Sequence, residues 1–396
     1  MPIDPRKLRS QRLRTVNYQG DALRLGMNWT EEDLDKPQVL VDSAYGMGHP
    51  GTFHFRPLIE EDITPRCILT HEAFENAIVI HAAVGGSTNM LIHLPAIARE
   101  VGVEITIDDF DRIHRQVPVL ANVKTTGRYP VEYFWYAGGV PAVMLELADM
   151  LHLDCLTVTG KTLGENLEEI KQSRFFSERI GYLNNVKVSR REIIRPRSDP
   201  FSPDGGVAVL RGNLAPGGSV IKVFSVPKEM HIHVGPARVF DSEEVALAAL
   251  KNRHVSPGDV VVIRYEGPRA NGMPEMYFAS AIIAADPTLN TTTALITDGR
   301  FSGAMKGPCV GHITPEALDG GPIALVEEND LIEINIPERR LAIVGAQDQR
   351  LPENQVERVL AERRAQWTAP LPRHSSGILS LYARVASGSS EGASLT

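Results

Sequence analysis

The second half of the sequence is a series of short apolar runs, each bounded by glycine or proline. Such spacing suits short strands, because glycine and proline interrupt regular structure and the runs are too brief for ordinary helices. One stretch, SEEVALAALKN at 242–252, has helical spacing instead. The pattern therefore predicts a β-rich domain of barrel or sandwich type. The runs are VAVLRGNL at 207–214, SVIKV at 219–223, HIHVGPARVF at 231–240, DVVVIRYEG at 259–267, TALITDG at 293–299, PIALV at 322–326, LIEINI at 331–336 and RLAIV at 340–344.

The first half reads as helices alternating with short strands, which predicts an α/β domain. Thr70 is a suitable N-cap for a helix in THEAFENAIVIHAAVGG. A second helix should follow in STNMLIHLPAIAREVG, and Pro95 should kink it or end its first part. Asp108 is expected to cap a third helix, and CLTVTG at 155–160 is expected to form a strand.

The proline-rich segment IIRPRSDPFSPDGG is the best linker between the two halves. We place a first domain at 1–194 and a second at 195–396. With 396 residues, of which 43% are hydrophobic, the chain is long enough for two globular domains.

Composition excludes several classes of protein. A net charge of −8 disfavours non-specific nucleic-acid binding, and no apolar run is long enough to cross a membrane. The sequence has three cysteines, Cys67, Cys155 and Cys309, and no Cys-x-x-Cys pair. So sparse a set predicts a reducing compartment and no disulfide framework. We expect a cytoplasmic protein; an organelle matrix is the other compartment left open.

Two loops of the second half carry candidate chemistry. Ser302 follows the run TALITDG in a glycine-rich stretch that would hold its hydroxyl on a constrained loop. The alternative is a plain turn whose serine bonds its own backbone. Glu266 ends the strand-like DVVVIRYEG and is a plausible ligand for a hard cation. A solvated loop glutamate is the alternative.

A third candidate lies in the first half, where Ser87, Thr88 and Asn89 follow two glycines at the start of a helix. Backbone N–H groups at such a start suit an anion, whereas ordinary capping by serine or threonine is the alternative. The segment TVTGKT lacks the first glycine of a phosphate loop. The histidines form no complete zinc pattern, and no histidine and aspartate are spaced to make Ser302 a hydrolase nucleophile.

Several long motifs follow one another along the chain. They are GGSTNMLIHLPAIAREVGVEITIDDFDRI, GGVPAVMLEL, TVTGKTLGENL, GGVAVLRGNLAPGGSVIK, GPARVFDSEE, GDVVVIRYEGP, ALITDGRFSGAMKGPCVGHITPEALDGGPIALVEENDLIEINIPERRL and LYARVASGSSEGA. Taken in this order, they resemble the dihydroxy-acid dehydratase and phosphogluconate dehydratase family. The resemblance extends from about Ile63 to Ala393. It implies an α/β first domain and a β-rich domain of swivelling type.

The resemblance also implies a reaction. Enzymes of this family remove water from 2,3-dihydroxy acids, including sugar acids, and yield 2-oxo acids. A base takes the C2 proton, an iron–sulfur cluster helps the C3 hydroxyl to leave, and magnesium binds the carboxylate end of the substrate. By resemblance, Ser302 is the base, acting as an alkoxide, and Glu266 is a magnesium ligand. Substrate binding or loop support falls to Ser87, Thr88, Asn89, Asp298, Arg300 and Gly303.

The sequence departs from the family in its first half. No Cys-Asp-Lys occurs, and His49-Pro50-Gly51 stands where the family often has Pro-Cys followed by His. After Leu58 a large internal block that holds most metal and cluster ligands is missing, so we assign no iron–sulfur ligand. Loss of that block should expose Phe74, Ile78 and Val84 and leave the fold marginally stable.

Two hypotheses follow for the function. One is a homodimeric hydro-lyase acting on a branched-chain dihydroxy acid or a sugar acid. The other is a noncatalytic relative that serves as a binding or oligomerising remnant.

Overall fold

The computed structural model describes residues 63–395, apart from residues 125, 304–306 and 372. It divides into two compact units, and the described parts of these are 63–68 with 154–165, and 69–153 with 166–395. His49-Pro50-Gly51 and Leu58 lie outside the described residues. Among the described residues, no helix has both the length and the hydropathy that crossing a bilayer requires.

The small unit contains a short helix and a tight turn. The segment CLTVTG was expected to be a strand, and this is wrong: only Leu156 and Thr162 form an isolated bridge. Thr157 N–H donates to the Lys161 carbonyl at 2.9 Å, which closes a turn that is too tight for a strand. Glu165 accepts from Thr162 N–H at 2.7 Å and stabilises the helix start that follows.

The described residues form fourteen helices, most of them in the first half, where the described residues pair only as isolated bridges. Their bounds are α1 Pro65–Ile68, α2 His71–Val84, α3 Met90–Glu100, α4 Ile107–His114, α5 Val131–Tyr136, α6 Gly139–Glu146, α7 Leu163–Gln172, α8 Phe175–Val186, α9 Arg190–Ile193, α10 Glu243–Lys251, α11 Pro268–Asn271, α12 Phe278–Ala285, α13 Glu353–Gln366 and α14 Gly377–Val385.

Local signals account for most helix boundaries. Thr70 caps α2, and its side chain accepts from Ala73 N–H at 3.3 Å. Helix α3 continues through Pro95, so this residue does not end it. Asp108 is not the cap of α4; Thr106 is, and Asp109 completes a capping box by accepting from Thr106 N–H. The cap lies two residues earlier than expected because the Thr106–Asp109 spacing allows reciprocal bonds.

The second half contains a nine-stranded mixed sheet in the order β1-β2-β8-β6-β4-β3-β9-β10-β11. Strands β8, β6, β4 and β3 pair in parallel, and the remaining pairs are antiparallel. A separate parallel pair joins β5 and β7. The bounds are β1 Val207–Leu210, β2 Gly218–Lys222, β3 Ile232–Phe240, β4 Val260–Ile263, β5 Glu275–Met276, β6 Ala294–Thr297, β7 Arg300–Phe301, β8 Cys309–Thr314, β9 Leu331–Asn335, β10 Arg340–Ala346 and β11 Gln349–Arg350.

The two ends of this sheet curl towards each other. Arg211, which directly follows β1, donates its N–H to Arg339, and Leu341 of β10 donates back to Arg211, both at 2.9 Å. The β-rich second half is therefore confirmed. One expected strand is wrong: Pro322–Leu325 of the run PIALV is a 3-10 helix, because Pro322 opens it and has no N–H for a strand ladder.

Both faces of the central strands are buried. Val260 and Val262 of β4 face one apolar cluster, together with Val356 of α13. Val261 and Ile263 face a second cluster, which α10 and α12 cover. Strands that are buried on both faces read as continuous apolar runs rather than alternating ones. This explains why the sequence shows VVVI at this position.

The expected exposure of helix α2 is wrong for two of its three residues. Phe74 is 3% exposed and Ile78 is fully buried, whereas Val84 is half-buried. The helix contacts α4 and α6, and these neighbours cover its apolar face. The described residues therefore form a packed core in the first half.

Candidate active site

The site is assembled from the loop between α2 and α3 and from loops at the ends of β4, β6 and β7. In the first of these, Gly85 takes a left-handed conformation, with φ of 63°, and ends α2. Thr88 is buried, and the Ser87 hydroxyl oxygen accepts from Asn89 N–H at 3.3 Å. The Ser87 carbonyl accepts from Met90 N–H at 3.1 Å. These bonds fix the loop that displays Ser87 and Asn89.

The serine loop starts at the end of β6. Gly299 is required there, because a Cβ would lie 2.7 Å from Cβ of Glu266. The chain then forms β7, in which Arg300 is in register with Glu275 of β5. Ser302 N–H donates to the Met276 carbonyl at 2.9 Å. Ser302 is thus held by its own backbone at the end of a short parallel pair.

The two loops meet. A Cβ built on Gly303 would lie 3.1 Å from the hydroxyl oxygen of Ser87. Nearby, Asn89 donates through Nδ2 to Glu275 at 2.5 Å. Arg300 places Nη1 3.3 Å from Nε2 of His93 on α3. The fold therefore brings together residues that are about two hundred positions apart in the sequence.

Asp298 begins the serine loop and also binds the loop that carries Glu266. Its side chain is fully buried, and its carboxylate accepts from three backbone N–H groups: Tyr265 at 3.1 Å, Glu266 at 3.0 Å and Ala317 at 2.8 Å. Burial raises the pKa of Asp298 to about 6, although the three N–H groups favour the charged form. The residue ties the ends of β4 and β6 to the segment after β8.

Glu266 is buried at 1% exposure, so it is not a solvated loop residue. One carboxylate oxygen accepts from Glu243 N–H at 3.0 Å, in the first turn of α10. The other accepts from Asn271 Nδ2 at 2.5 Å. Arg373 places Nη1 3.4 Å from both oxygens and brings the C-terminal segment to this carboxylate. N–H donors therefore surround Glu266.

Glu316 also belongs to this carboxylate cluster, and sequence reasoning missed it. It accepts from Arg269 N–H at 3.1 Å and Ala270 N–H at 2.9 Å. Burial, assisted by the charge of Asp298, raises its pKa to about 8. Gly267 allows this approach, since a Cβ there would lie 2.5 Å from the Glu316 carboxylate. The sequence could have indicated this residue, because Glu316 directly follows Thr314-Pro315 within a motif that carries the family resemblance.

His312 is a second residue that sequence reasoning missed. It lies on β8 with φ of 58°, an uncommon conformation for a non-glycine residue, and its N–H donates to Gly299 at 2.8 Å. Burial, followed by the positive charge of Arg300, lowers its pKa to about 3. The imidazole is therefore neutral, and it lies beside the backbone that carries the serine loop.

The described residues do not fit an iron–sulfur cluster. Burial raises the pKa of the Cys309 thiol to about 12, which opposes the thiolate that a cluster needs. Cys67 is exposed and Cys155 is partly exposed. Within residues 63–395, apart from the undescribed positions, no three His, Cys, Asp or Glu side chains are grouped to hold a metal.

Magnesium fits Glu266 no better in this arrangement. The ion requires several oxygen ligands in near-octahedral geometry. Here the two oxygens of Glu266 face a backbone N–H, an amide NH₂ and a guanidinium. The described residues therefore supply a suitable ligand set to neither group.

Comparisons with known proteins agree with this architecture. Residues 192–393 match the model for the dihydroxy-acid/6-phosphogluconate dehydratase C-terminal region, and residues 36–166 match the N-terminal one. The chain belongs to this dehydratase family.

Proteins named dihydroxy-acid dehydratase are among its relatives. That of Acetivibrio thermocellus is 47% identical over 341 residues, which cover 85% of this chain and 57% of the relative. That of Caldanaerobacter subterraneus is 44% identical over 384 residues, covering 96% and 63%. That of Sulfurisphaera tokodaii is 47% identical over 384 residues, also covering 96% and 63%. The chain thus spans less than two thirds of the length of these relatives.

Proposed function

We propose that the protein is a hydro-lyase that dehydrates 2,3-dihydroxy acids to 2-oxo acids. The observation that carries the proposal is the contact between the Ser302–Gly303 loop and Ser87. Each loop was identified separately from the sequence, and they lie far apart along the chain. We place a small acid where the two loops meet, in contact with Ser302 and with the Ser87–Asn89 loop.

In this proposal the Ser302 oxygen takes the proton from C2 of the substrate. The electron pair of the C2–H bond forms a C2–C3 double bond as the C3–O bond breaks. The proton and the departing hydroxide make up the water that is lost, and the enol that remains becomes the 2-oxo acid. Because a serine hydroxyl is a very weak acid, Ser302 needs positive charge close by in order to act as a base.

The remaining site residues bind and position the substrate. We assign the substrate carboxylate to Ser87, Thr88 and Asn89, where α3 begins. Arg300 orients the start of the serine loop, since its Nε donates to the Met273 carbonyl at 2.8 Å. Asp298 holds the same loop through its backbone bonds. Gly303 leaves room for Ser87 opposite the reacting serine.

Further parts of the proposal rest on the family. The relatives' name favours a dihydroxy acid over a sugar acid, and we propose a cytoplasmic homodimer. Family membership implies magnesium and an iron–sulfur cluster, whose ligands the described residues do not supply. We propose that the domain boundary lies at 194/195 and that the missing length is an internal block after Leu58.

Production of 2-oxo acid by the purified chain tests the proposal. The chain is reconstituted anaerobically with iron, sulfide and magnesium and offered a panel of 2,3-dihydroxy and aldonic acids. We expect turnover that Ser302→Ala abolishes and that Ser177→Ala, at an exposed serine of α8, leaves unchanged. Bound iron is measured on the same samples. Folded protein without turnover would overturn the proposal and favour the noncatalytic binding hypothesis.

A further inference from the structure

Two buried histidines connect the Ser87 loop to the first strand of the sheet. Nε2 of His81, on α2, lies 2.8 Å from the Ser87 carbonyl oxygen. Nδ1 of His81 lies 3.0 Å from Nε2 of His114, at the end of α4. Nδ1 of His114 accepts from the backbone N–H of Val207 at 3.2 Å. The result is a continuous chain of hydrogen bonds from the loop to β1.

The direction of this chain follows from its two ends. A backbone N–H can only donate, so Nδ1 of His114 must be the acceptor and its proton lies on Nε2. That proton is donated to Nδ1 of His81, whose own proton then lies on Nε2. A backbone carbonyl can only accept, and this agrees with donation from His81 Nε2 to Ser87. Both rings are therefore neutral Nε2–H tautomers.

The surroundings keep both rings uncharged. His81 is 5% exposed and His114 is 1% exposed. Burial lowers the pKa of His81 to about 4, and the positive charge of Lys222 on β2 acts in the same direction. Burial lowers the pKa of His114 well below its usual value, and the positive charge of Arg339 acts in the same direction. The ring of Phe110 packs edge-on against His81, with centroids 5.9 Å apart.

Two glycines allow the rings to reach these positions. A Cβ on Gly86 would lie 2.1 Å from Cδ2 of His81. A Cβ on Gly205 would lie 2.7 Å from Nδ1 of His114. Such distances leave no room for a side chain, so the backbone at both positions is shaped around the imidazoles. The backbone at Gly86 and Gly205 is therefore adapted to the two histidines that form the chain of hydrogen bonds.

We propose that His81 and His114 are positioning residues that hold the Ser87 carbonyl, and with it the Ser87 hydroxyl, opposite the Ser302–Gly303 loop. In this proposal the two rings act through Ser87 and not on the reacting serine. The catalytic meaning of that position rests on the proposed function, whereas the hydrogen-bond chain itself does not. The two can therefore be tested apart.

The first test uses ¹⁵N NMR of the histidine side chains in the full chain. We expect both rings to show the neutral Nε2–H tautomer throughout the range from about pH 5.5 to 8.5. A charged ring, or a proton on Nδ1 of either residue, would overturn the proposal.

The second test uses amide hydrogen exchange at residues 86–90. His81→Leu removes the donor to Ser87 and should speed exchange in this loop by about tenfold. His81→Gln retains an N–H donor near the position of Nε2 and should restore most of the protection. His254→Leu is the control. Unchanged exchange in His81→Leu would contradict the positioning role, whatever the outcome for turnover.

The third readout links the chain of bonds to the substrate. Calorimetry on a Ser302→Ala background measures binding of a dihydroxy acid without turnover. Binding should weaken about tenfold with His81→Leu and recover with His81→Gln, because the loop position and not the ring sets affinity. Equal affinity in both variants would also argue against positioning. Absent binding in Ser302→Ala with both histidines in place, together with the expected NMR result, would instead count against the proposed function.

Discussion

The helical first half and the sheet-rich second half hold their site loops by opposite means. In the helical half, neutral imidazoles donate along a chain that ends on the Ser87 carbonyl. In the sheet half, the Asp298 carboxyl accepts three backbone N–H groups, two from the loop that carries Glu266 and one from the segment after β8. Neutral groups are cheaper to bury, whereas a carboxylate forms stronger bonds at a higher desolvation cost.

This contrast shows in how each half responds to pH. Burial lowers the pKa of His81 to about 4, so its contribution to stability is complete above its unfolded pKa of about 6.5 and is lost as the pH falls towards 4. Burial raises the pKa of Asp298 to about 6, so its contribution is complete below about 3.8 and is lost as the pH rises towards 6. The two halves therefore oppose each other between about pH 4 and 6.5.

The largest expected loss of stability comes from replacing Asp298, the buried carboxyl that anchors the loops of the sheet half. Asp298→Asn turns an NH₂ group towards donors and leaves backbone N–H groups unsatisfied in a buried place. We expect the free energy of unfolding at neutral pH to fall by roughly 4 kcal/mol. Urea denaturation measures it, and Asp348→Asn, at an exposed turn where asparagine suits the positive φ, is the control. A loss below about 1 kcal/mol would show that Asp298 is not the anchor.

The pH dependence of the free energy of unfolding should distinguish His81 from Asp298. Compared with the unsubstituted chain, His81→Gln should lose roughly 3 kcal/mol more at pH 6.5 than at pH 4, as the imidazole no longer titrates. Asp298→Asn should show the reverse, with its deficit shrinking by a similar amount as the pH rises from about 4 to 6. Denaturation midpoints across this range report both. Slopes of the same sign in the two variants would break the contrast.

A smaller effect is expected where the backbone touches an imidazole. Gly86→Ala places a methyl group 2.1 Å from His81, so the ring or the loop must move, at a cost of roughly 2 kcal/mol. Gly181→Ala on α8 meets nothing within 4 Å and should instead stabilise the chain by about 0.5–1 kcal/mol. Thermal denaturation of both variants gives the comparison. Equal shifts would mean that the His81 ring does not set the position of the loop.

The smallest effect on stability is expected where the Ser302–Gly303 loop meets the Ser87 loop. Gly303→Ala brings a methyl group 3.1 Å from the Ser87 hydroxyl, a strain that a shift of a few tenths of an ångström relieves. We expect less than about 1 kcal/mol of destabilisation but measurably weaker binding of a dihydroxy acid. Gly388→Ala, whose nearest neighbour is 3.9 Å away, should change neither. Unaltered binding in Gly303→Ala would show that the Ser87 loop does not take part in binding the dihydroxy acid.

Local sequence signals predicted much of the fold. Glycine and proline bound the strands, so most runs of the second half were placed correctly, and Thr70 was correctly identified as a cap. The exceptions have local causes that the pattern did not reveal: Thr106 and Asp109 share reciprocal bonds, and Pro322 opens a 3-10 helix. In the site, Ser302, Glu266 and the Ser87 loop were singled out because unusual residues lie beside glycines.

The sequence by itself determined the fold class and the family, and it singled out the loops that we propose to carry chemistry, because these depend on residues that are close together along the chain. Only the tertiary structure decided which groups meet. His81 and His114 read as ordinary helical residues until α2 and α4 pack together. Asp298 and Glu316 acquire raised pKa values only when folding removes water from both carboxyls. Burial and long-range contact have no local pattern, and these two quantities set the charge and position of every anchor in the site.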